Sequence, residues 1–259
     1  MKTKLLLSFF LWFLCLPPAF AAVTGQTVEY RDGRTVLEGY LAYDDAVPGK
    51  RPAVMVVPEW NGLNDYAKKR ADQLAGMGYV GFAVDMYGKG IHAETHEEAA
   101  KLSRVYFKDR KRMRRRAKAA YDFLLKQEWV DPARVAAIGY CFGGTTVLEM
   151  ARAGWPLAGV ASFHGFMGTS LPAEKDTVHA AIRVFHGDED SFSDSDLEGF
   201  RREMRTAGAD FSITILSGSV HRFTVPEAGS DKSTGMAYSP RADHESWQAL
   251  LDFLKEIFK

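Results

Sequence analysis

Val135-Ala136-Ala137-Ile138-Gly139-Tyr140-Cys141-Phe142-Gly143-Gly144 is the stretch that decides the fold of this chain. Val135 to Ile138 is a short continuous apolar run, which suits a strand covered on both faces. From Phe142 to about Ala153 the residues suit a helix. A strand that passes into a helix through Gly-x-Cys-x-Gly makes a tight, strained turn, and Gly139 and Gly143 flank it because larger side chains there clash with backbone. The strain presents the central side chain at the helix N-terminus, where the helix dipole favours a thiolate. Cys141 is therefore the candidate nucleophile, and the turn has the form of a nucleophile elbow.

Working outward, Thr27 to Arg31 and Thr35 to Tyr43 alternate around Asp32-Gly33 and predict a hairpin with antiparallel strands. Ala53 to Val57 and Tyr79 to Val84 read as buried strands, with a helix from Asn64 to Met77 between them. Glu94 to Lys126 reads as helical with a break near Lys108. After the elbow come strands Ala158 to Phe163 and Ile182 to Phe185, a helix Asp194 to Ala207, a strand Ser212 to Leu216 and a closing helix His244 to Phe258. Alternating strands and helices predict an α/β fold with a mostly parallel central sheet, an antiparallel N-terminal hairpin and helices on both faces. In such sheets the chemistry gathers in the loops at the carboxyl ends of the strands.

A thiolate needs a base on a later loop. Of seven histidines, His221 lies past the last strand and before the closing helix. His164 and His186 sit at strand exits, each before a glycine, where a packed, hydrogen-bonded ring is expected; His92, His96, His179 and His244 read as surface residues. An acid that orients the base belongs in the loop before the last strand. There His186-Gly187-Asp188-Glu189-Asp190 offers Asp190 by its Gly-x-x-Asp spacing, with Asp188 as the fallback. Cys, Asp, His is the chain order of α/β-hydrolases.

The ends and the composition narrow the class further. Met1-Lys2-Thr3-Lys4, the apolar Leu5 to Leu16 and Ala19-Phe20-Ala21-Ala22 read as a secretory signal over residues 1–21, leaving one domain over 22–259 in the periplasm or outside the cell. The apolar run is about a dozen residues, short of the roughly 20 that span a membrane, so no membrane span is expected after cleavage. Lys and Arg together number 33, as do Asp and Glu, so no global field points to nucleic acid. With Cys15 in the signal, Cys141 is the only thiol of the mature chain, and no disulfide within it is possible.

Taken together, Pro58-Glu59-Trp60-Asn61-Gly62, Asp85-Met86-Tyr87-Gly88, the Gly139 to Gly144 elbow, Gly187 to Asp190 and His221-Arg222-Phe223 resemble the dienelactone hydrolase family over essentially the whole mature length. That resemblance implies an α/β-hydrolase fold, hydrolysis of lactones or esters by a Cys-Asp-His triad (here Cys141, Asp190 and His221), and no metal or organic cofactor. It gives Glu59 a thiol-activating role, which suits a buried carboxylate acting as a base. The oxyanion hole is then the backbone N–H groups of Trp60 and Phe142. The chain departs from the pattern at Val225, where some members carry an arginine that holds a substrate carboxylate. Arg222 follows His221 directly, and adjacent residues are expected to point apart, so that role is not carried over to it. The basic run Lys108 to Lys118 shares its helix with the apolar stripe Met113, Ala117, Ala120, Tyr121 and Leu124, so most of its charges are expected to face water.

The expected function is hydrolysis of a small-molecule ester or lactone through a thioester acyl-enzyme. The alternatives are a broad carboxylesterase or acyltransferase using the same triad, and an exported binding protein that keeps the scaffold without turnover. The residues carry no signal for oligomeric state.

Overall fold

The computed structural model describes residues 23–193 and 196–259. The expected secretory signal and the expected helix start at Asp194 lie outside the described residues. One eight-stranded sheet runs through the fold in the order β1-β2-β4-β3-β5-β6-β7-β8. Its strands are β1 (Val23–Asp32), β2 (Thr35–Asp44), β3 (Arg51–Val57), β4 (Val80–Ala83), β5 (Val130–Tyr140), β6 (Gly159–Phe163), β7 (Ala181–Gly187) and β8 (Phe211–Leu216). β1 pairs antiparallel with β2, and β2 antiparallel with β4. The remaining pairs, from β4–β3 through β7–β8, are parallel.

Six helices connect them: α1 (Asp65–Ala75), α2 (His96–Lys108), α3 (Arg110–Leu124), α4 (Phe142–Arg152), α5 (Leu197–Thr206) and α6 (Pro240–Ile257). The strands alternate between two cores, as residues on a pleated strand must. Ala53, Met55 and Val57 of β3 join one cluster with residues of α3, α4 and α5. Val54 and Val56 join the other with Ala67, Ala71 and Leu74 of α1 and Trp247, Leu250 and Leu254 of α6. Helices therefore cover both faces, and the apolar strands are buried on both.

Local chemistry sets the helix ends. Asn64 and Ser239 accept backbone N–H groups at the starts of α1 and α6, and Thr95 forms a capping box with Glu98 at α2. The break expected near Lys108 is Asp109, which ends α2 with non-helical angles and whose side chain accepts the Arg112 N–H to start α3. The strand expected at Val135 begins earlier, at Val130, because β5 pairs with β3 at both Arg51–Val130 and Ala53–Val135 across a register shift. Among the described residues no helix is long and apolar enough to cross a membrane.

The basic run on α3 corrects an expectation. Lys108, Lys111 and Arg115 are exposed, but Arg110 and Arg116 are buried. Arg116 pairs with Asp32 at 3.0 Å and donates to the carbonyls of Met86 and Tyr87 at 3.1 and 3.0 Å. Helical periodicity counted these arginines as solvated because it cannot see carbonyl groups brought up by other loops.

Candidate active site

Cys141 sits between β5 and α4 with φ 52° and ψ −112°, a left-handed backbone that costs a non-glycine residue free energy and persists only where its surroundings enforce it. The flanking glycines supply space. A Cβ on Gly139 would stand 2.1 Å from the Gly143 carbonyl oxygen, and one on Gly143 would stand 2.1 Å from that of Val57. The elbow thus packs backbone to backbone against the end of β3, the segment that continues into Glu59 and Trp60.

His221 comes from the loop after β8 and is held by its own backbone, donating to the Gly235 carbonyl and accepting from the Ala237 N–H. Its Nδ1 lies 2.8 Å from Oδ2 of Asp190, from the loop after β7. Asp190 is buried, and its carboxylate also accepts the Ser193 hydroxyl at 2.7 Å and the backbone N–H groups of Phe192 and Ser193 at 3.0 and 3.3 Å. Ser193 Oγ in turn lies 3.3 Å from Nδ1 of the buried His186. Asp188, the fallback, is exposed and accepts the Ser219 N–H instead. Burial penalises the charged His221 ring, but the charge interaction with Cys141 and the hydrogen bonds His221 makes to Asp190 and Cys141 outweigh it and push its pKa from 6.5 up to about 10. For Asp190 burial works to raise the carboxyl, and the hydrogen bond and charge of His221 bring it below the ordinary 3.8.

Glu59 is 1 % exposed, and both its oxygens are engaged by Arg222: Nε stands at 3.1 and 3.2 Å and Nη2 at 2.9 Å. Arg222 and His221 were expected to diverge. Instead both line one cavity, because Arg222 takes φ 61° and its side chain turns back toward the site. Val225 is buried, 2 % exposed. The cavity has a volume of about 110 Å³, with Cys141, His221 and Arg222 as its polar groups and Trp60, Phe166, Phe192 and Met236 around them. A larger hollow of about 490 Å³ adjoins it across Phe166.

Of the two expected oxyanion donors, Trp60 lines the cavity with Cys141, and Phe142 follows Cys141 directly in the chain. The Phe142 N–H opens α4, where helical amides lack carbonyl partners within their own helix. The Tyr87 hydroxyl donates to the Trp60 carbonyl at 2.8 Å and so fixes the Trp60–Asn61 peptide, which follows the one carrying the Trp60 N–H. Tyr87 was visible only as part of a motif, with no role attached. His164 and His186 are buried and hydrogen-bonded, and His92, His96, His179 and His244 are exposed. Among the described residues, no three His, Cys, Asp or Glu side chains group as a metal site would require.

The chain is similar to known proteins. An Aquifex aeolicus (strain VF5) protein named "Putative carboxymethylenebutenolidase" is 28 % identical over 247 residues, covering 91 % of this chain and all of that one. A solved structure described as a dienelactone hydrolase-like promiscuous phosphotriesterase from metagenomic libraries is 37 % identical with a TM-score of 0.86, covering 92 % of this chain and all of that one. A second, named m3DLH, is also 37 % identical, with a TM-score of 0.88 over the same shares. The model of the dienelactone hydrolase family matches residues 37–258; the chain belongs to that family and is an ester or lactone hydrolase built on the α/β-hydrolase fold.

Proposed function

We propose that this enzyme cleaves a small ester or lactone with Cys141 as nucleophile, His221 as acid and base, and Asp190 as the group that orients His221. The observation that carries the reading is the 2.8 Å contact of His221 Nδ1 with the buried Asp190, made in the same cavity wall as Cys141. When substrate is bound, the proton of Cys141 is held on His221 as an imidazolium beside the thiolate. The thiolate sulfur attacks the carbonyl carbon, and the carbonyl oxygen becomes an oxyanion received by the N–H groups of Trp60 and Phe142. His221 gives its proton to the departing alkoxide as the carbon–oxygen bond breaks, leaving a thioester on Cys141. Forming the thioester removes the sulfur's negative charge, one of the causes holding the His221 pKa up. The ring then binds its proton less tightly and serves as the base that takes a proton from water. Water adds to the thioester, the acid leaves and the thiolate returns.

The mostly apolar cavity favours a compact acyl or lactone ring, with bulkier parts of a substrate extending across Phe166. Arg222, rather than a residue at position 225, supplies a cation to any substrate carboxylate. An anion that draws Arg222 away frees Glu59 from its ion pair, and this is the circumstance in which Glu59 activates the thiol. Export to the periplasm or beyond follows from the reading of residues 1–21 as a signal.

Intact-mass spectrometry during turnover of p-nitrophenyl acetate is the test. A transient acetyl adduct on Cys141, and loss of both adduct and hydrolysis in Cys141→Ala, are the expected results; hydrolysis that survives Cys141→Ala rejects the nucleophile. A panel of lactones and linear esters ranked by kcat/KM then separates lactonase from general esterase or acyl transfer.

A further inference from the structure

His164, at the exit of β6, is completely buried and touches the nucleophile's own backbone. Its Nδ1 accepts the Cys141 N–H at 3.1 Å, a bond that N–H shares with the Phe163 carbonyl at 3.0 Å. A ring nitrogen that accepts carries no proton, so the neutral ring holds its hydrogen on Nε2, which donates to Thr224 Oγ1 at 2.9 Å. Thr224 Oγ1 also accepts the Tyr66 hydroxyl at 2.8 Å, and Tyr66 accepts from Nε of Arg70 at 3.2 Å. Arg70 ends the chain in an ion pair with Asp243 of α6. The imidazole of His164 also stands edge-on to His221, with centroids 5.1 Å apart. Like Cys141, His164 has a left-handed backbone, with φ 41°.

We infer that His164 is a positioning residue for hydrolysis: it anchors the Cys141 amide to a buried chain running through Thr224 and Tyr66 to Arg70, and so holds the strained elbow with its sulfur toward His221. This rests on Cys141 being the nucleophile. The role requires a neutral ring. A proton on Nδ1 would replace the acceptor with a donor facing the Cys141 N–H and would set a cation against His221, Arg222 and Arg70. Burial, followed by the charges of His221, Arg222 and Arg70, holds the pKa of His164 well below the ordinary 6.5. The other ionisable rings near it, Tyr140 and Tyr66, have pKa values raised by burial and remain neutral hydroxyls.

Two variants separate the hydrogen bond from packing. His164→Phe keeps a ring and loses the acceptor. His164→Asn places an amide oxygen near the Nδ1 position and tolerates the left-handed backbone. We expect His164→Phe to lower kcat for p-nitrophenyl acetate about 10- to 100-fold, the scale of a small misplacement of a reacting group, with KM within about 2-fold, and His164→Asn to recover most of that loss. Equal losses in both variants accompanied by a raised KM, or kcat within about 2-fold of the parent in both, overturn the proposal. Long-range ¹H–¹⁵N spectra of the histidine-labelled parent need no variant. His164 is expected to stay neutral with its proton on Nε2 from about pH 5 to 9, across the range where an ordinary histidine titrates, and a proton on Nδ1 in that range overturns the proposal. Cys141→Ala keeps the two readings apart. If it hydrolyses the ester, the nucleophile reading fails; if it is inactive while both His164 variants are fully active, only the role of His164 fails.

Discussion

Arg222 shows how one backbone angle changes what a residue can do. At φ 61° its guanidinium reaches Glu59, whose side chain is 1 % exposed, and the pair sits beside the thiol as a neutral unit. Burial works against charge on Arg222, and Glu59 more than offsets it, so the guanidinium binds its proton more tightly than an ordinary arginine. Removing one member of a buried pair leaves the other charge without compensation, which costs about 3–5 kcal/mol. Arg222→Met is expected to lose stability on that scale in urea unfolding at neutral pH, and adding Glu59→Gln is expected to restore most of it. If the double variant is no more stable than the single one, an unpaired Glu59 is not the cause of the loss. The pairing was not legible in the sequence, where 163 positions separate the two residues and adjacency to His221 argued against Arg222 facing the site.

The strand-turn-helix of β5 and α4 is the element most legible in the sequence. The reason is local: Gly139, Cys141 and Gly143 lie within five consecutive residues, and their spacing alone forces a tight turn. What the glycines avoid is not local, because the Val57 and Pro58 carbonyls against Gly143 belong to β3 and the loop that follows it. Gly143→Ala puts a methyl group 2.1 Å from the Val57 oxygen. The elbow or the segment leading to Trp60 must then move. We expect a loss of about 1–3 kcal/mol from overpacking and a fall in kcat of about 100-fold from displacing the thiol relative to the proposed oxyanion donors, checked by urea unfolding and steady-state kinetics. Unchanged kcat would mean that the Trp60 side of the hole is not needed. Every residue of α4 from Phe142 to Arg152 is buried, so its charged members carry partners that no helical pattern reveals.

At the scale of the whole molecule, Glu149 of α4 is the fully buried hub that ties the catalytic layer together. It meets Arg114 at 2.8 Å and Arg152 at 3.3 Å, with Arg110 at 3.9 Å. Arg110 and Arg114 also donate to the Gly168 and Leu171 carbonyls at 3.0 and 2.7 Å, and Arg152 pairs with Glu203 of α5 at 2.8 Å. This network joins α3, α4 and α5 and fastens the segment that follows Phe166 in the cavity wall. Glu149→Ala leaves three arginines around one deleted charge and is expected to cost about 3–5 kcal/mol, read as a lower urea midpoint, whereas exposed Lys111→Ala is expected to change stability by less than about 0.5 kcal/mol. Equal midpoints for the two variants would remove Glu149 from its structural role.

By itself the sequence determined the alternation of strands and helices, the covered parallel sheet, the elbow around Cys141 and the residues competing to assist it. Those features depend on periodicity and on chemistry between near neighbours, both of which are written along the chain. Tertiary structure put Asp190, not Asp188, against His221, turned Arg222 into the site, seated Glu59 on it, and brought His164 to the Cys141 amide. Each of these depends on where two distant backbones end and on the side-chain directions set by φ at Arg222 and His164, which only the packed sheet and its loops impose.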